Sequence, residues 1–227
     1  MNAAKPSIFL SPRILVPSFL LCAVIWSTFA IGTIYDSDVF QDGEPGPLEH
    51  SQNLVLFICL LLAVWRTVQA RGVKRAWLIL VTIGIFLILG EEVSWGQWLF
   101  DWSSPQWFLH HNGQQETNLH NLSWSLNILP RFLLRSAIVL GGLIYPLARL
   151  SLKRDLLGVP AWLPPTMLCV MPALFAVFSA AFNHSALRLW LDLNYFEVSE
   201  LEELFIYLFF FAYLLAMPAD GTARVTD

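Results

Sequence analysis

Long apolar runs separated by short polar or basic stretches dominate the chain. A helix that crosses the roughly 30 Å hydrocarbon core of a bilayer needs about 20 predominantly apolar residues. Six segments have that character: residues 14–34, 52–68, 76–100, 132–150, 161–182 and 199–217. Gly141, Gly142, Pro146 and Pro172 fall inside these runs, where neighbouring helices can re-satisfy freed backbone groups. Segment 101–130 is too polar to span, yet it carries Trp102, Trp107 and Trp124, whose amphipathic rings belong at a membrane–water boundary. The pattern predicts an all-α polytopic membrane bundle of about six transmembrane helices with an interfacial Trp-rich loop. No internal repeat, low-complexity tract or long linker divides residues 1–227, so a single transmembrane domain is the expectation.

Composition strengthens this reading: 56% of the residues are hydrophobic and only 13% charged, too apolar for a soluble domain of this size. Lys5 and Arg13 precede the run Ile14–Ile34, which outlasts a secretory h-region and reads as an uncleaved signal anchor. Cys22, Cys59 and Cys169 lie in apolar runs, where thiols act as small hydrophobes. Basic residues set orientation, because Lys and Arg collect on the cytoplasmic side. With both termini cytoplasmic, Lys5, Arg13, Arg66, Arg71, Lys74, Arg75, Arg149, Lys153, Arg154 and Arg224 fall inside, leaving Arg131, Arg135 and Arg188 outside. The same model puts His50, His110, His111, His120, His184 and most acids on the outer face. No phosphate-binding glycine loop, nucleophile elbow or nucleic-acid patch is present.

The chemistry concentrates at the end of the third run, where Glu91 and Glu92 follow Ala76–Leu89 directly. A carboxylate at bilayer depth costs about 2.5–3.5 kcal/mol on insertion scales, so it persists where it meets a partner, a bundle interior or a wet cavity. A helix entering the hydrocarbon near Trp77 would carry Glu92 about 22 Å along its axis. Gly90 and Gly96 allow a kink or an earlier helix end there. In the loop, Ser104-Pro105 has the form of an N-cap and N1 proline opening a short helix to about His111. Asn118 is read as the cap of a second, with Leu119, Leu122 and Leu126 as its apolar stripe. At the start of the last run, Ser199 and Glu202 have capping-box spacing, and Glu200 opposes the helix dipole. Neither device explains Glu203, which is therefore expected to point inward. Asp36-Ser37-Asp38 begins like a calcium loop, but Phe40 stands where a ligand is due, so residues 36–50 read as a solvated connection.

Glu91, Glu92, His120 and Glu203 are thus the candidate catalytic residues. Glu92, His120 and Glu203 are candidate ligands for a divalent metal, since imidazole and carboxylate suit zinc, manganese or iron; His184 and Asn183 stand in reserve. Without a metal, the same groups can share protons as general acid and base. The expected activity is metal- or carboxylate-assisted hydrolysis of a lipid-linked or amphipathic substrate. The alternative is a non-catalytic subunit of a larger membrane complex, docking through its Trp-rich loop and acidic rim. A proton relay ranks below both, because the inner halves of the spans hold few ionisable groups.

At these residues the chain resembles a family of bacterial inner-membrane proteins carrying G-E-E-x-S-W-G-Q followed by N-x-Q-x-E-x-N-L-H-N. The motifs read here as Gly90, Glu91, Glu92, Ser94, Trp95, Gly96 and Gln97, then Asn112, Gln114, Glu116, Asn118, Leu119, His120 and Asn121. The resemblance implies an inner-membrane location and a single site built from both motifs, with Ser94, Trp95, Gln97, Asn112, Gln114, Glu116, Asn118 and Asn121 in support; His184 and Glu200 join them as supporting residues from their place on the outer face. It supplies no reaction. More distantly, Glu91-Glu92 is similar to the start of the E-E-x-x-x-R motif of CPBP-type intramembrane proteases, with Gly96 at the arginine position. The mixture of spans, Ser, His and acids is similar to alkaline-ceramidase-like hydrolases, whose histidine spacing differs.

Overall fold

The computed structural model describes residues 12–35, 46–100, 102–113, 115–152, 160, 162–190 and 195–218. Among them every regular element is helical. They are α1 (Pro12–Tyr35), α2 (Pro47–Gln69), α3 (Gly72–Glu92), a 3-10 turn (Ser94–Gly96), α4 (Gln97–Phe100), α5 (Gln106–His111) and α6 (Trp124–Ile138). A π-helical stretch (Val139–Ile144), α7 (Tyr145–Leu152), a second 3-10 turn (Met167–Cys169), α8 (Val170–Asn183), α9 (Ala186–Trp190) and α10 (Tyr195–Ala216) complete the order. Residues 36–45 of the expected solvated connection, Gln114, and the basic residues Lys5, Lys153, Arg154 and Arg224 lie outside the described residues, while 47–50 of that connection are helical.

Among the described residues four stretches are long and apolar enough to cross a membrane: Pro12–Ile31, Pro47–Gln69, Gly72–Glu92 and Trp124–Arg149. Met167–Asn183 is a shorter apolar helix. The all-α expectation holds, and the chain has the character of an integral membrane protein. Several predicted boundaries are corrected, each for a local reason. Helix α2 starts at Pro47 rather than residue 52, because proline's fixed φ suits the first helical position. The third span stops at Glu92 instead of running to Phe100, since Ser94, Trp95 and Gly96 all take positive φ (46°, 54° and 92°). Helix α6 begins at Trp124 rather than residue 132. Its cap is Ser123, whose Oγ accepts from Leu126 N at 3.3 Å, and Asn118 caps nothing. The fifth run forms helix only from Met167, because Pro164 and Pro165 keep the residues before them extended. Helix α10 starts four residues ahead of Ser199, so Ser199 and Glu202 sit inside it and the capping box is not formed.

Surface chemistry agrees with a lipid solvent. Leu80, Ile83, Phe86 and Leu87 of α3 and Leu129, Phe132 and Leu133 of α6 are all exposed. Continuous apolar surface of this kind is rare on soluble monomers and costs nothing against acyl chains.

The described residues fall into two compact units, one comprising residues up to Val55 together with Ala137–Pro218, the other Leu56–Ser136. In the first unit α8 and α10 share the core, with Ala173, Phe205 and Leu214 fully or almost fully buried. Helix α1 joins them through Trp26, whose ring lies 5.2 Å from those of Phe178 and Phe182 and whose Nε1 donates to Ser179 Oγ at 3.2 Å. Helix α10 is also tied to the segment before α8, by Tyr213 Oη donating to Leu163 O at 3.1 Å. The π-helical stretch presses Gly142 into this core. A Cβ there would stand 2.6 Å from Ala173 Cβ and 2.8 Å from Phe209 Cε2. In the second unit, Thr67 and Thr82 hydroxyls join α2 and α3 at 3.1 Å, a polar link of the kind that holds apolar helices together where lipid removes the hydrophobic drive.

Gly142→Ala is therefore expected to destabilise the first unit by about 1–3 kcal/mol, the usual cost of overfilling a packed core. Gly84→Ala, with nothing within 4 Å of the new Cβ, is expected to be neutral or slightly stabilising. Thermal unfolding of the two variants in one detergent compares them directly.

Candidate functional site

The end of α3 is reshaped by one side chain. Trp95 occupies left-handed backbone, which a bulky residue adopts at a cost of about 1–3 kcal/mol. The strain is offset locally. Its indole lies against Gly90, where a Cβ would come within 2.9 Å of the ring, and meets the Phe86 ring edge-on at 5.9 Å. Its Nε1 donates to Glu91 Oε1 at 2.8 Å. Gly90 thus makes room for an aromatic ring, while Gly96, at φ 92°, takes a conformation that glycine alone adopts without strain.

Glu91 is the organising acceptor. Beside the indole on Oε1, its Oε2 receives the main-chain N–H of Leu119 at 2.6 Å and of His120 at 3.0 Å. The same oxygen lies 3.3 Å from His120 Nδ1. Glu91 is 18% exposed and His120 31%, so the pair is sheltered but reachable. Hydrogen bonds to an ionised acceptor contribute about 1.5–3 kcal/mol each, enough to fix the 119–120 loop and outweigh the strain at Trp95.

A second carboxylate ties the two motifs together beneath this pair. Glu116 Oε2 accepts from Ser94 Oγ at 2.8 Å and from Asn118 Nδ2 at 2.7 Å. Asn118 Nδ2 also stands 3.4 Å from Ser94 Oγ. Asn112 Nδ2 donates to the main-chain oxygen of Asn118 at 3.0 Å and to its Oδ1 at 2.7 Å. Gln97 Oε1 accepts from Ser104 Oγ at 2.9 Å and from Thr117 N at 3.1 Å, while Thr117 Oγ1 donates to Ser104 Oγ at 3.0 Å. Ser104 therefore holds Gln97, and α5 has no side-chain cap, a correction to the expected N-cap. Ser94, Ser104, Asn112 and Asn118 are buried.

The structure thus brings together Glu91, Ser94, Trp95, Gln97, Asn112, Glu116, Asn118 and His120. Glu92 and Asn121 flank them, both half-buried. The other expected residues belong to the first unit. There Glu203 is buried and accepts from Tyr207 Oη at 3.4 Å, Glu200 receives Gln52, and His184 is exposed after α8. Asn183 is buried, its main-chain oxygen accepting from Arg188 Nε at 2.7 Å. Among the described residues no three His, Cys, Asp or Glu side chains gather as metal donors, so the arrangement lends no support to a metal on Glu92, His120 and Glu203. Sequence reasoning took Ser104 for a helix cap and did not single out Thr117, whose hydroxyl gives no motif, or the main-chain donors of Leu119 and His120.

Removing the carboxylate should free the loop. In Glu91→Ala, amide hydrogen exchange at Leu119 and His120 is expected to accelerate by about tenfold or more, the equivalent of one lost bond at 1.4 kcal/mol per decade, while exchange in α10 stays unchanged. Gly90→Ala is expected to expose the Trp95 indole N–H by expelling the ring, with the same loop loosened to a lesser degree. The chain matches no protein-family model, no curated protein and no solved structure.

Proposed function

We propose that this integral membrane protein is an acid–base hydrolase of a lipid-linked or amphipathic substrate, with His120 as the proton-transfer group and Glu91 as the carboxylate that orients it. The observation that carries the reading is the Glu91 Oε2–His120 Nδ1 pairing at 3.3 Å, on a ring that keeps about a third of its surface. A carboxylate on Nδ1 selects the tautomer that bears its proton there, which leaves the Nε2 lone pair to act as base. Nε2 then takes a proton from water, the water oxygen bonds to the acyl or phosphoryl centre, and the imidazolium returns the proton to the leaving group as its bond breaks. One water is consumed. The apo distance is long for a charge-assisted bond, as is common before substrate closes a site.

Several features support an interfacial substrate. The site caps a membrane-length helix, and Trp107, Trp124 and Phe100 are exposed around its loop, suited to the headgroup layer. In this reading the site faces the outer side of a bacterial inner membrane with both termini cytoplasmic, and the two motifs belong to the family they resemble. Glu92, beside the dyad, supplies a second carboxyl to a bound substrate.

A second reading, a docking subunit of a larger complex, draws on one observation: both Glu91 oxygens are already engaged, Oε1 by the Trp95 indole and Oε2 by the 119–120 loop. Turnover separates the two. Purified protein in nanodiscs is assayed on fluorogenic long-chain acyl esters and on a polyprenyl phosphate. His120→Gln is expected to lose about 10²–10⁴-fold in kcat, the usual worth of a positioned general base, with KM little changed. Glu91→Gln is expected to lose less, because the ring stays and only its orientation suffers. If wild type turns over neither probe faster than His120→Gln, the hydrolase reading fails and the docking reading stands.

A further inference from the structure

Helix α2 opens with Glu49, Gln52 and Asn53 on one face, since residues three and four apart are neighbours on a helix. Gln52 is fully buried. Its Nε2 donates to the main-chain oxygen of Glu200 at 2.6 Å and to Glu200 Oε2 at 3.1 Å. Turning the amide over would set its oxygen against two acceptors, so the placement of nitrogen and oxygen is fixed by the network. Gln52 Oε1 is then left with no donor, and so are Glu49 Oε2 and Asn53 Oδ1, all three atoms sealed from solvent. Buried polar atoms in folded proteins are nearly always satisfied. These three are oxygens that only accept, and Gln52, through its nitrogen, also meets a further carboxylate, Glu200, in the same unit.

We propose that Glu49, Gln52 and Asn53, bordered by Glu200, bind a hard metal cation of the calcium class. Oxygen-only donors exclude the imidazole and thiolate chemistry that zinc sites favour. A carboxylate with two amide carbonyls is a calcium donor set, its remaining positions left to main-chain oxygens, whereas magnesium demands near-ideal octahedral geometry and sheds water reluctantly. Two carboxylates balance a divalent charge. A primary ammonium would also satisfy the acceptors, but it must carry its carbon stem to atoms closed to a molecule the size of water; a bare ion has no stem. The bound ion ties the start of α2 to α10 and does not involve Glu91 or His120.

The test uses the full chain in detergent, stripped with a chelator and titrated with calcium chloride by calorimetry and thermal unfolding, with magnesium chloride, sodium chloride and ethanolamine as separate arms. Calcium is expected to raise Tm by several degrees in a saturable manner, with the other arms much weaker. Glu49→Gln and Asn53→Ala are each expected to weaken calcium affinity by about tenfold or more, because ligand charge and count set affinity in such sites. Gln52→Leu should abolish it, and if that variant misfolds the two milder ones carry the test. Absence of a saturable calcium response in wild type overturns the proposal, as does an unchanged response in both milder variants. Stabilisation by ethanolamine without calcium assigns the acceptors to a lipid amine and overturns the metal site.

Discussion

The second unit depends on one carboxylate receiving more donors than its own helix can supply. At the end of an α-helix the last main-chain carbonyls lack partners, and a loop arriving there brings N–H groups that need acceptors. Glu91 provides the acceptor from a side chain, taking two consecutive main-chain N–H groups, an indole and an imidazole nitrogen. Near a membrane surface, where water competes less for such groups, each bond is worth more than in bulk. The surrounding residue types follow from this demand. Trp95 must reach back to Glu91, Gly90 must lack a side chain to let it, and Ser94 must turn the chain so that its hydroxyl meets Glu116.

The first unit rests on a different constraint, close packing between helices whose outer faces are apolar. Where lipid is as greasy as the protein, association relies on fit and on a few polar links. Gly142 against Ala173 and Phe209, Trp26 on Ser179, and Tyr213 on Leu163 are such features. Glu202, Glu203 and Gln52 are buried in the same unit, so polarity is concentrated at the start of α10 while the rest of that helix is packed with Phe205, Phe209 and Leu214.

Hydropathy made the helical class legible, because a run of some 20 apolar residues has few alternatives in a bilayer. Helix ends were less so. Nothing in the letters Ser94-Trp95-Gly96 announces three positive φ values in succession; they follow from the indole finding Glu91. The start of α6 was hidden because Pro130 and Arg131 look like a boundary, while the cap is Ser123. The two motifs stood out as a site through residue type, and their hydrogen bonding joins them. The tie between Ser104, Thr117 and Gln97 was not legible because hydroxyls seven and thirteen residues from their partners leave no periodic trace. Glu49 was grouped with a solvated connection, and Gln52 and Asn53 were absorbed into an apolar span. Only the burial of Gln52 beside Glu200 marks them as a group.

The π-helical stretch at Val139–Ile144 has a further consequence for the rod that contains it. Widening a turn accommodates one residue more than an α-helix would, and each residue of α-helix advances the phase by about 100°. Side chains before and after the bulge therefore sit on stripes rotated against each other, so a single continuous membrane-length segment carries two differently oriented faces. A lone deletion within 139–144 would erase that offset and rotate Tyr145–Leu152 about its axis without altering its composition.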